Sequence, residues 1–511
     1  MPLPLPLPMH AAAPIAPLNQ STEQGEINTP ASLVRTLAEE LAARQPAWSQ
    51  SGWTHRQSLL TRLHGILTRD ADAWVDLIVE EIGKPRIEAE TEVLATLDAA
   101  LWTIRKSGRL LRDQTYSPGW QRWLLMTKAT VHHRPYGLIG MIGTWNYPLL
   151  LNAGPIFQAL ATGNSVIWKP SEFATRTGKK LQDALTEAGL APGVAATVYG
   201  GPLVGQALIS APLRKAVFTG GTTAGRRVLA DLAARGIPAL AELSGYDAAI
   251  VQASLPVEST VPALAWGAFV GAGQTCVAIK RIYVVGDPKP WAEALGCYAD
   301  SLTVGAPSEG SFDLGPLISI EAKRRFLNQV QQAIEAGAQI MGQKANSNLH
   351  DGAALCRPYV LLSESPKAEH CLEGIFGPVV VVRGVPDLET AISAVNSSEF
   401  GLAASLWGHN TRELAAIAPR LDVGMVTIND AVTAAGHMTA PFGGLKASGF
   451  GRTRGEAGLM EFVQPQAVHQ RRPGGFRPQL YPYQKNTPRL FRLLRVYKNL
   501  FHRPARSSQK R

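Results

Sequence analysis

Three short segments carry side chains whose types suit work on a carbonyl group. GQTC (Gly273 to Cys276) sets a thiol behind Gly271, Gly273 and the hydroxyl of Thr275, in a stretch where a backbone amide can come close to a reacting carbonyl. AELSG (Ala241 to Gly245) holds the carboxylate of Glu242 after an apolar run, and GTWNYP (Gly143 to Pro148) holds the amide of Asn146 after a candidate strand. A thiolate that attacks a carbonyl carbon creates an oxyanion, which needs hydrogen-bond donors; Asn146 and the Cys276 amide suit that task. The acyl group left on sulfur is released by water once a carboxylate takes the water's proton, which suits Glu242. By itself a cysteine in an apolar stretch is an inert core residue. Its partners are what make Cys276 a candidate nucleophile.

Two further segments suit a dinucleotide. FTGGTTAG (Phe218 to Gly225) puts Gly220 and Gly225 between a strand end and a helix start, where backbone amides and the helix dipole can meet a pyrophosphate. Its spacing departs from GxGxxG, so alone it reads as a turn. WKPSE (Trp168 to Glu172) follows another strand and offers Lys169 as a cation and Glu172 as an acceptor for ribose hydroxyls. A carboxylate beside the adenosine ribose repels a 2′-phosphate by roughly 1 to 4 kcal/mol at short range. NAD is therefore favoured, with NADP admitted if Lys169 compensates.

The elements that must hold these segments follow from periodicity. Apolar residues recur at helical spacing from Ala31 to about Arg112 (Leu33, Leu37, Leu41; Leu59, Leu63, Ile66; Trp74, Leu77, Ile78), which predicts several amphipathic helices serving as scaffold. QRWLLMTKATVHHRP and YGLIGMIGTW read as strands. Between residues 136 and 250 strands and helices alternate, the pattern of a doubly wound α/β sheet with ligands at the carboxyl ends of its strands. A second α/β region runs from about Ala248 to Pro441. The stretch from Pro135 to Trp168 has no charged residue, yet its Gly, Pro and Asn content favours buried strands and tight turns over a membrane span.

Taken together these segments resemble the aldehyde dehydrogenase superfamily, from about Ala31 to Glu461, through GTWNYP, WKPSE, FTGGTTAG, AELSG, GQTC, IFGPV (Ile375 to Val379) and PFGGLKASGFGR (Pro441 to Arg452). The resemblance implies an α/β fold with a Rossmann-type cofactor domain (31–117 and 135–247), an α/β catalytic domain (248–441) and a small β oligomerisation arm (118–134 and 460–472). It implies Cys276 as nucleophile, Glu242 as general base and Asn146 as oxyanion donor. Lys169 and Glu172 fall on its adenosine-ribose contacts, Phe376 on the aromatic residue near the nicotinamide ribose, and Trp145, Gly220 and Gly225 join the cofactor set. The activity implied is NAD(P)-dependent oxidation of an aldehyde to a carboxylic acid.

Two positions depart from the family pattern. The glutamate that directly precedes Ile-Phe-Gly-Pro is Gly374 here, with Glu373 one place earlier, which implies a looser nicotinamide half of the cofactor. Ser244, Gly245 and Tyr246 replace Gly-Gly-Lys beside the base, which implies a reshaped water or substrate channel. Two rival functions remain: a member that passes the acyl group to coenzyme A or reduces it, and a catalytically silent binding protein. The first has no need of Glu242, and the intact Cys276, Glu242 and Asn146 set speaks against the second.

At 511 residues the chain has room for two or three substructures. Cys276, Cys297, Cys356 and Cys371 are widely spaced with no Cys-x-x-Cys pair, so free thiols in the cytoplasm and no metal site are expected. Residues 1–30 read as a mobile Pro-rich tail rather than a signal peptide. The formal net charge is +10, and residues 471–511 hold 12 Lys or Arg and no acid. Within 473–511, Leu490, Leu493, Leu494, Tyr497, Leu500 and Phe501 form one helical face flanked by arginines, as in the class 3, fatty-aldehyde-type branch. Such a basic amphipathic tail suits peripheral contact with the cytoplasmic membrane face, or docking on a partner subunit of a homodimer. Nucleic acid is not expected, because few aromatics interleave the charges. With a membrane nearby, the expected substrate is a long-chain, isoprenoid-like or otherwise apolar aldehyde of lipid metabolism.

Overall fold

The structure, a computed structural model, describes residues 28–117, 127–344, 354–471, 473, 481 and 487–501. The Pro-rich segment 1–27, the QRWLLM part of the expected arm and most of 473–486 and 502–511 lie outside the described residues. The chain divides into two units: Met1–Leu111 with Arg134–Gln464, and Arg112–His133 with Pro465–Arg511.

In the larger unit the N-terminal helical periodicity becomes four helices, Ala31–Gln50, Gly52–Arg69, Ala71–Ile82 and Arg86–Leu110. Leu59, Leu60, Leu63 and Leu67 bury one stripe of the second helix, where the 3.6-residue repeat puts them on a single face. A six-stranded sheet follows, in the spatial order Gly449–Phe450, Ala239–Glu242, Lys215–Thr219, Leu138–Ile142, Ser165–Lys169, Ala195–Thr197. All its pairings are parallel except that Gly449–Phe450 runs antiparallel to Ala239–Glu242, with Gly449 opposite Glu242. The charge-free stretch after Pro135 supplies two adjacent strands of this sheet and the helix Leu150–Ala161, whose residues are buried almost all round. A helix enclosed on every side has no polar stripe to show, which explains its hydropathy.

A seven-stranded sheet carries the second half in the order Gln339–Met341, Tyr359–Leu362, Val379–Val385, Ile279–Val285, Asp247–Gln252, Ala403–Trp407, Met425–Ile428. Only Gln339–Met341 pairs antiparallel. The central strands read as unbroken apolar runs because helices cover both faces of a parallel sheet. A separate three-stranded sheet joins Gln114–Tyr116, Thr127–Pro135 and Val463–Arg471. In the smaller unit Nδ1 of His132 lies 2.9 Å from the Asp113 carboxylate, and Thr487–Phe501 is one helix.

Candidate active site

Glu242 is the last residue of its strand, and Cys276 lies in the turn that leads into Ile279–Val285 of the other sheet. The two turns meet so closely that a Cβ on Gly245 would stand 2.2 Å from the Cys276 carbonyl oxygen, so only glycine fits there. The contact brings the Cys276 thiol to 3.6 Å from Oε1 of Glu242, to which it donates. A second close approach fixes the other side of the thiol loop. Gly273 has φ +67, and a Cβ on it would meet the Gly377 carbonyl oxygen at 2.2 Å. Lys280 spans the same gap from below, donating to the carbonyl oxygens of Gly273 at 2.8 Å and Gly377 at 2.6 Å. Burial pulls its ammonium down to about 7, while the Asp247 carboxylate favours the charged form.

Asn146 reaches the same loop from the cofactor sheet. Its Nδ2 donates to the Gln274 carbonyl at 3.1 Å and its Oδ1 accepts from the Thr144 hydroxyl at 2.9 Å, which leaves one amide hydrogen for another acceptor. Tyr147 adds a hydroxyl contact of 2.9 Å to Thr275.

The electrostatics follow from burial. The Cys276 thiol is held well above its ordinary range, first by burial and then by the carboxylates of Glu242 and Asp247; Arg454 opposes them. Glu242 is raised by burial and lowered by Arg454 and by its bond to the thiol. Burial thus disfavours the charged form of both members of the pair, and Arg454 is the charge that opposes it at each.

Several residues at this site were not singled out by sequence reasoning. The helix Arg86–Leu110, read as scaffold, also serves the site: Glu92 accepts from the amides of Leu149 and Leu150 at 2.8 and 3.2 Å, at the start of the helix behind GTWNYP. Lys84 donates to Glu92 at 2.7 Å and to the Asn146 carbonyl at 2.8 Å, and lies 4.2 Å over the Tyr147 ring. Glu88 accepts from the Gly271 amide at 3.0 Å. Their only sequence signal was charge inside a helical stretch otherwise rich in apolar residues. Arg454 lies two residues past the last motif, with φ 62 and ψ 163, a region that costs a non-glycine residue about 1 to 3 kcal/mol.

The residues expected to hold the cofactor fall at the ends of two strands that flank Leu138–Ile142. Lys169 ends one strand with Glu172 just beyond it, and Gly220 and Gly225 lie at the start of the helix Thr222–Ala234 after the other. Gly221 at its start has no side chain to cap it; the Thr222 amide donates to the Ser244 hydroxyl at 3.3 Å, so the amides of Thr223 and Ala224 are the ones that suit an anion. A Cβ on Gly225 would strike Leu243 at 2.4 Å, so the glycine is what lets the helix start sit against the strand end. A cavity of about 570 Å³ is lined by Trp145, Phe173, Gln274, Gln329, Gly374 and Phe376. Trp145 and Phe376 meet edge to face with centroids 5.6 Å apart. The helix start suits a pyrophosphate, and the aromatic pair beside Gln274 of the thiol loop suits a nicotinamide end, which together are the groups a dinucleotide needs.

Gly374 has φ +71, a backbone position that a glutamate would strain, although only Phe400 at 3.7 Å limits the space. Tyr246 corrects one expectation: rather than reshaping a channel, it is buried and donates its hydroxyl to the Glu369 carbonyl at 2.6 Å. Its ring lies 4.5 Å from the Arg281 guanidinium, which also donates to the Tyr246 carbonyl at 2.6 Å. Among the described residues no group of three or more His, Cys, Asp or Glu side chains is gathered as for a metal ion.

A thiol paired with a carboxylate, an amide donor beside them and a dinucleotide cleft on a parallel sheet define a class: oxidoreductases that pass through an acyl group on cysteine. The comparisons agree. A sequence model of the Aldehyde dehydrogenase family matches residues 15–468, and the chain belongs to that family. It is 33% identical over 422 residues to a Methylomonas sp protein named 4,4'-diapolycopene aldehyde oxidase, covering 82% of this chain and 78% of that one. A solved Mycobacterium tuberculosis aldehyde dehydrogenase complexed with NAD+ is similar at TM-score 0.82 and 27% identity, covering 88% of this chain and 92% of that chain. An NADP-dependent glyceraldehyde-3-phosphate dehydrogenase from Bacillus halodurans, complexed with NADP, is similar at TM-score 0.80 and 30% identity, covering 87% and 92%. The chain is an NAD(P)-dependent aldehyde dehydrogenase.

Proposed function

We propose that Cys276 is the nucleophile, Glu242 the general base and Asn146 the oxyanion donor in the oxidation of an apolar aldehyde to its carboxylic acid. The observation that carries this reading is the 3.6 Å contact between the thiol and the carboxylate. Glu242 takes the thiol proton, and the thiolate adds to the carbonyl carbon. The oxyanion that forms is met by the free amide hydrogen of Asn146 and the backbone amide of Cys276. The bound nicotinamide supplies the hydride acceptor. Loss of hydride leaves a thioester; Glu242, once it has released the thiol's proton to solvent, takes a proton from water, the hydroxide oxygen bonds to the acyl carbon, and the C–S bond breaks, the leaving thiolate taking that proton back to give acid and thiol.

For the cofactor the structure supports NAD over NADP. The Lys169 ammonium already donates to the Gly200 carbonyl at 2.8 Å and the Pro170 carbonyl at 3.0 Å and lies 3.4 Å from Glu172. With its donors engaged it offers little to a 2′-phosphate, while Glu172, half exposed, repels one.

The apolar substrate is supported by the walls of the cleft at Glu242, which include Trp102, Leu150, Leu151, Pro155 and Met438. The name of the Methylomonas relative is consistent with it. The tail is the second support: along Thr487–Phe501, Leu493 is 68% exposed and Val496 50%, beside Arg489, Arg492 and Arg495. Leu494, on the same expected face, is buried, so the apolar stripe is split rather than wholly free. No described helix is long and apolar enough to cross a membrane. We read the tail as a surface anchor to anionic lipid on a cytoplasmic homodimer, with the arm of 118–134 and 460–472 joining the subunits.

The test is NADH and NADPH formation over short, aromatic, long-chain and isoprenoid aldehydes. Cys276→Ala should abolish both, and Glu242→Gln should give a burst of reduced cofactor with little turnover after it. Equal activity on acetaldehyde and long-chain aldehydes, unaltered by deletion of 485–511, would sink the apolar assignment. Full steady turnover by Glu242→Gln would remove the base.

A further inference from the structure

Arg454 stands on the same cleft wall as Glu242, among Trp102, Leu150, Leu151 and Met438. Its guanidinium is stacked 4.5 Å over the Phe442 ring. Its Nη1 is buried and has no hydrogen-bond partner among the described residues. The backbone that aims it there is unusual: Arg454 takes a conformation reserved for glycine, and Gly455 behind it has φ +57 with no room for a Cβ, which would meet the Thr439 carbonyl oxygen at 2.6 Å. A strained residue that carries an unpaired cation into an apolar cleft points to a use for that charge.

The groups around it identify the use. The ionisable side chains that Arg454 acts on are Glu242, Cys276 and Tyr147. Cys276 also feels Asp247, and Tyr147 feels Glu88 and Glu92, with Lys84 over its ring. The thiol therefore sits among carboxylates, with burial and like charge both opposing a thiolate. Among the described residues no other cation lines the cleft beside Arg454.

We propose that Arg454 is the electrostatic positioning residue of this site, supplying the positive charge that stabilises the anionic forms of Cys276 and Glu242 and acting through them rather than on the aldehyde. This rests on the assignment of those two residues above. Opposite charge near both favours thiolate at the start of the cycle and carboxylate at its end. Clamped over Phe442, the guanidinium needs no reorganisation as negative charge moves from one to the other.

The experiment follows inactivation by iodoacetamide against pH, without cofactor, in the full chain and in Arg454→Met and Arg454→Lys. Its companion is the pH profile of steady turnover. Cys276→Ala, tested for loss of activity and of alkylation, judges the underlying assignment separately. Arg454→Met should move both profiles about one pH unit upward, which is about tenfold slower alkylation at neutral pH. Arg454→Lys keeps the charge but not the planar stack over Phe442, so its profiles should lie between those of the parent and Arg454→Met. Superimposable profiles for the parent and Arg454→Met would overturn the proposal. So would unmoved profiles with KM raised only for aldehydes bearing a carboxylate, which would make Arg454 a receptor for substrate. Should Arg454→Met not fold, Arg454→Gln takes its place under the same criteria.

Discussion

Cys276 and Glu242 are neighbours at 3.6 Å although each belongs to a different sheet and 34 positions separate them in the chain. What joins them is the absence of a side chain at Gly245, whose Cβ would displace the Cys276 carbonyl. The pair thus sits on the seam between the six-stranded and seven-stranded sheets, where, in the proposed reaction, a dinucleotide on the first would face an acyl group on the second.

The pH dependence of turnover follows from the burial of Glu242. Its carboxyl is raised from the ordinary value of 4.5, mainly by burial, and it works as a base only when ionised. Turnover should fall as pH falls through that raised value, so the acidic limb will lie above the usual carboxylate range. The sign for stability is opposite. Between 4.5 and the raised value the folded state holds more protons than the unfolded one, so this residue's contribution to stability falls as pH rises through that window. Melting temperature against pH for the parent and Glu242→Gln checks the stability sign, because the variant should lose that part of the slope, and the parent's steady turnover against pH checks the other.

Lys84→Met should be strongly destabilising. Lys84 and Glu92 form a buried ion pair at 2.7 Å, and removal of one partner leaves the other charge uncompensated, at a cost of about 3 to 5 kcal/mol. The Asn146 carbonyl loses its donor at the same time, so activity should fall even below the midpoint of unfolding. Urea denaturation with parallel rate measurements decides; a midpoint unchanged from the parent would show the pair to be dispensable.

Glu172→Gln should shift cofactor choice. Removing the carboxylate takes away roughly 1 kcal/mol of repulsion toward a 2′-phosphate at a well-solvated site, or about fivefold in affinity. NADP should bind about fivefold more tightly while NAD changes little, as read by titration of each oxidised cofactor. Equal changes for both would place Glu172 away from the ribose.

Gly374→Glu tests the departure in the IFGP turn. A glutamate there should tighten the nicotinamide half of the cofactor. At φ +71 it should also cost about 1 to 2 kcal/mol of stability, since L-residues disfavour the left-handed region. Cofactor titration and thermal melting read the two effects separately. A variant that binds and reacts as the parent does would mean that Gly374 plays no part in holding the ribose.

Much of the site was legible before the fold. GQTC, AELSG and GTWNYP placed Cys276, Glu242 and Asn146 because strand-end turns with glycine and a reactive side chain are local features, written in adjacent residues. The alternation of apolar runs likewise named the α/β class. The supporting charges were not legible in this way. Glu88 and Glu92 sit on a helix whose pattern spoke only of packing, and the backbone amides they hold lie 57 to 183 positions away in the chain; Lys84, in the turn before that helix, reaches the Asn146 carbonyl 62 positions on. Tyr246 was assigned to the channel from its place near the base, but the loop between the two sheets buries it, with its hydroxyl on the Glu369 carbonyl, a partner 123 positions away that no local pattern reveals.

By itself, then, the order of residues determined the chemistry on offer: a thiol, a carboxylate, an amide and glycine-opened helix starts, each set by bonds between near neighbours. Only the tertiary structure decided which of these meet and which charges govern them. Arg454 acts on Glu242 and Cys276 from far along the chain, and Lys280 joins two loops 104 residues apart, from Gly273 to Gly377. Such contacts depend on how two sheets pack across a seam, and the energies of buried charges depend on the solvent that packing excludes.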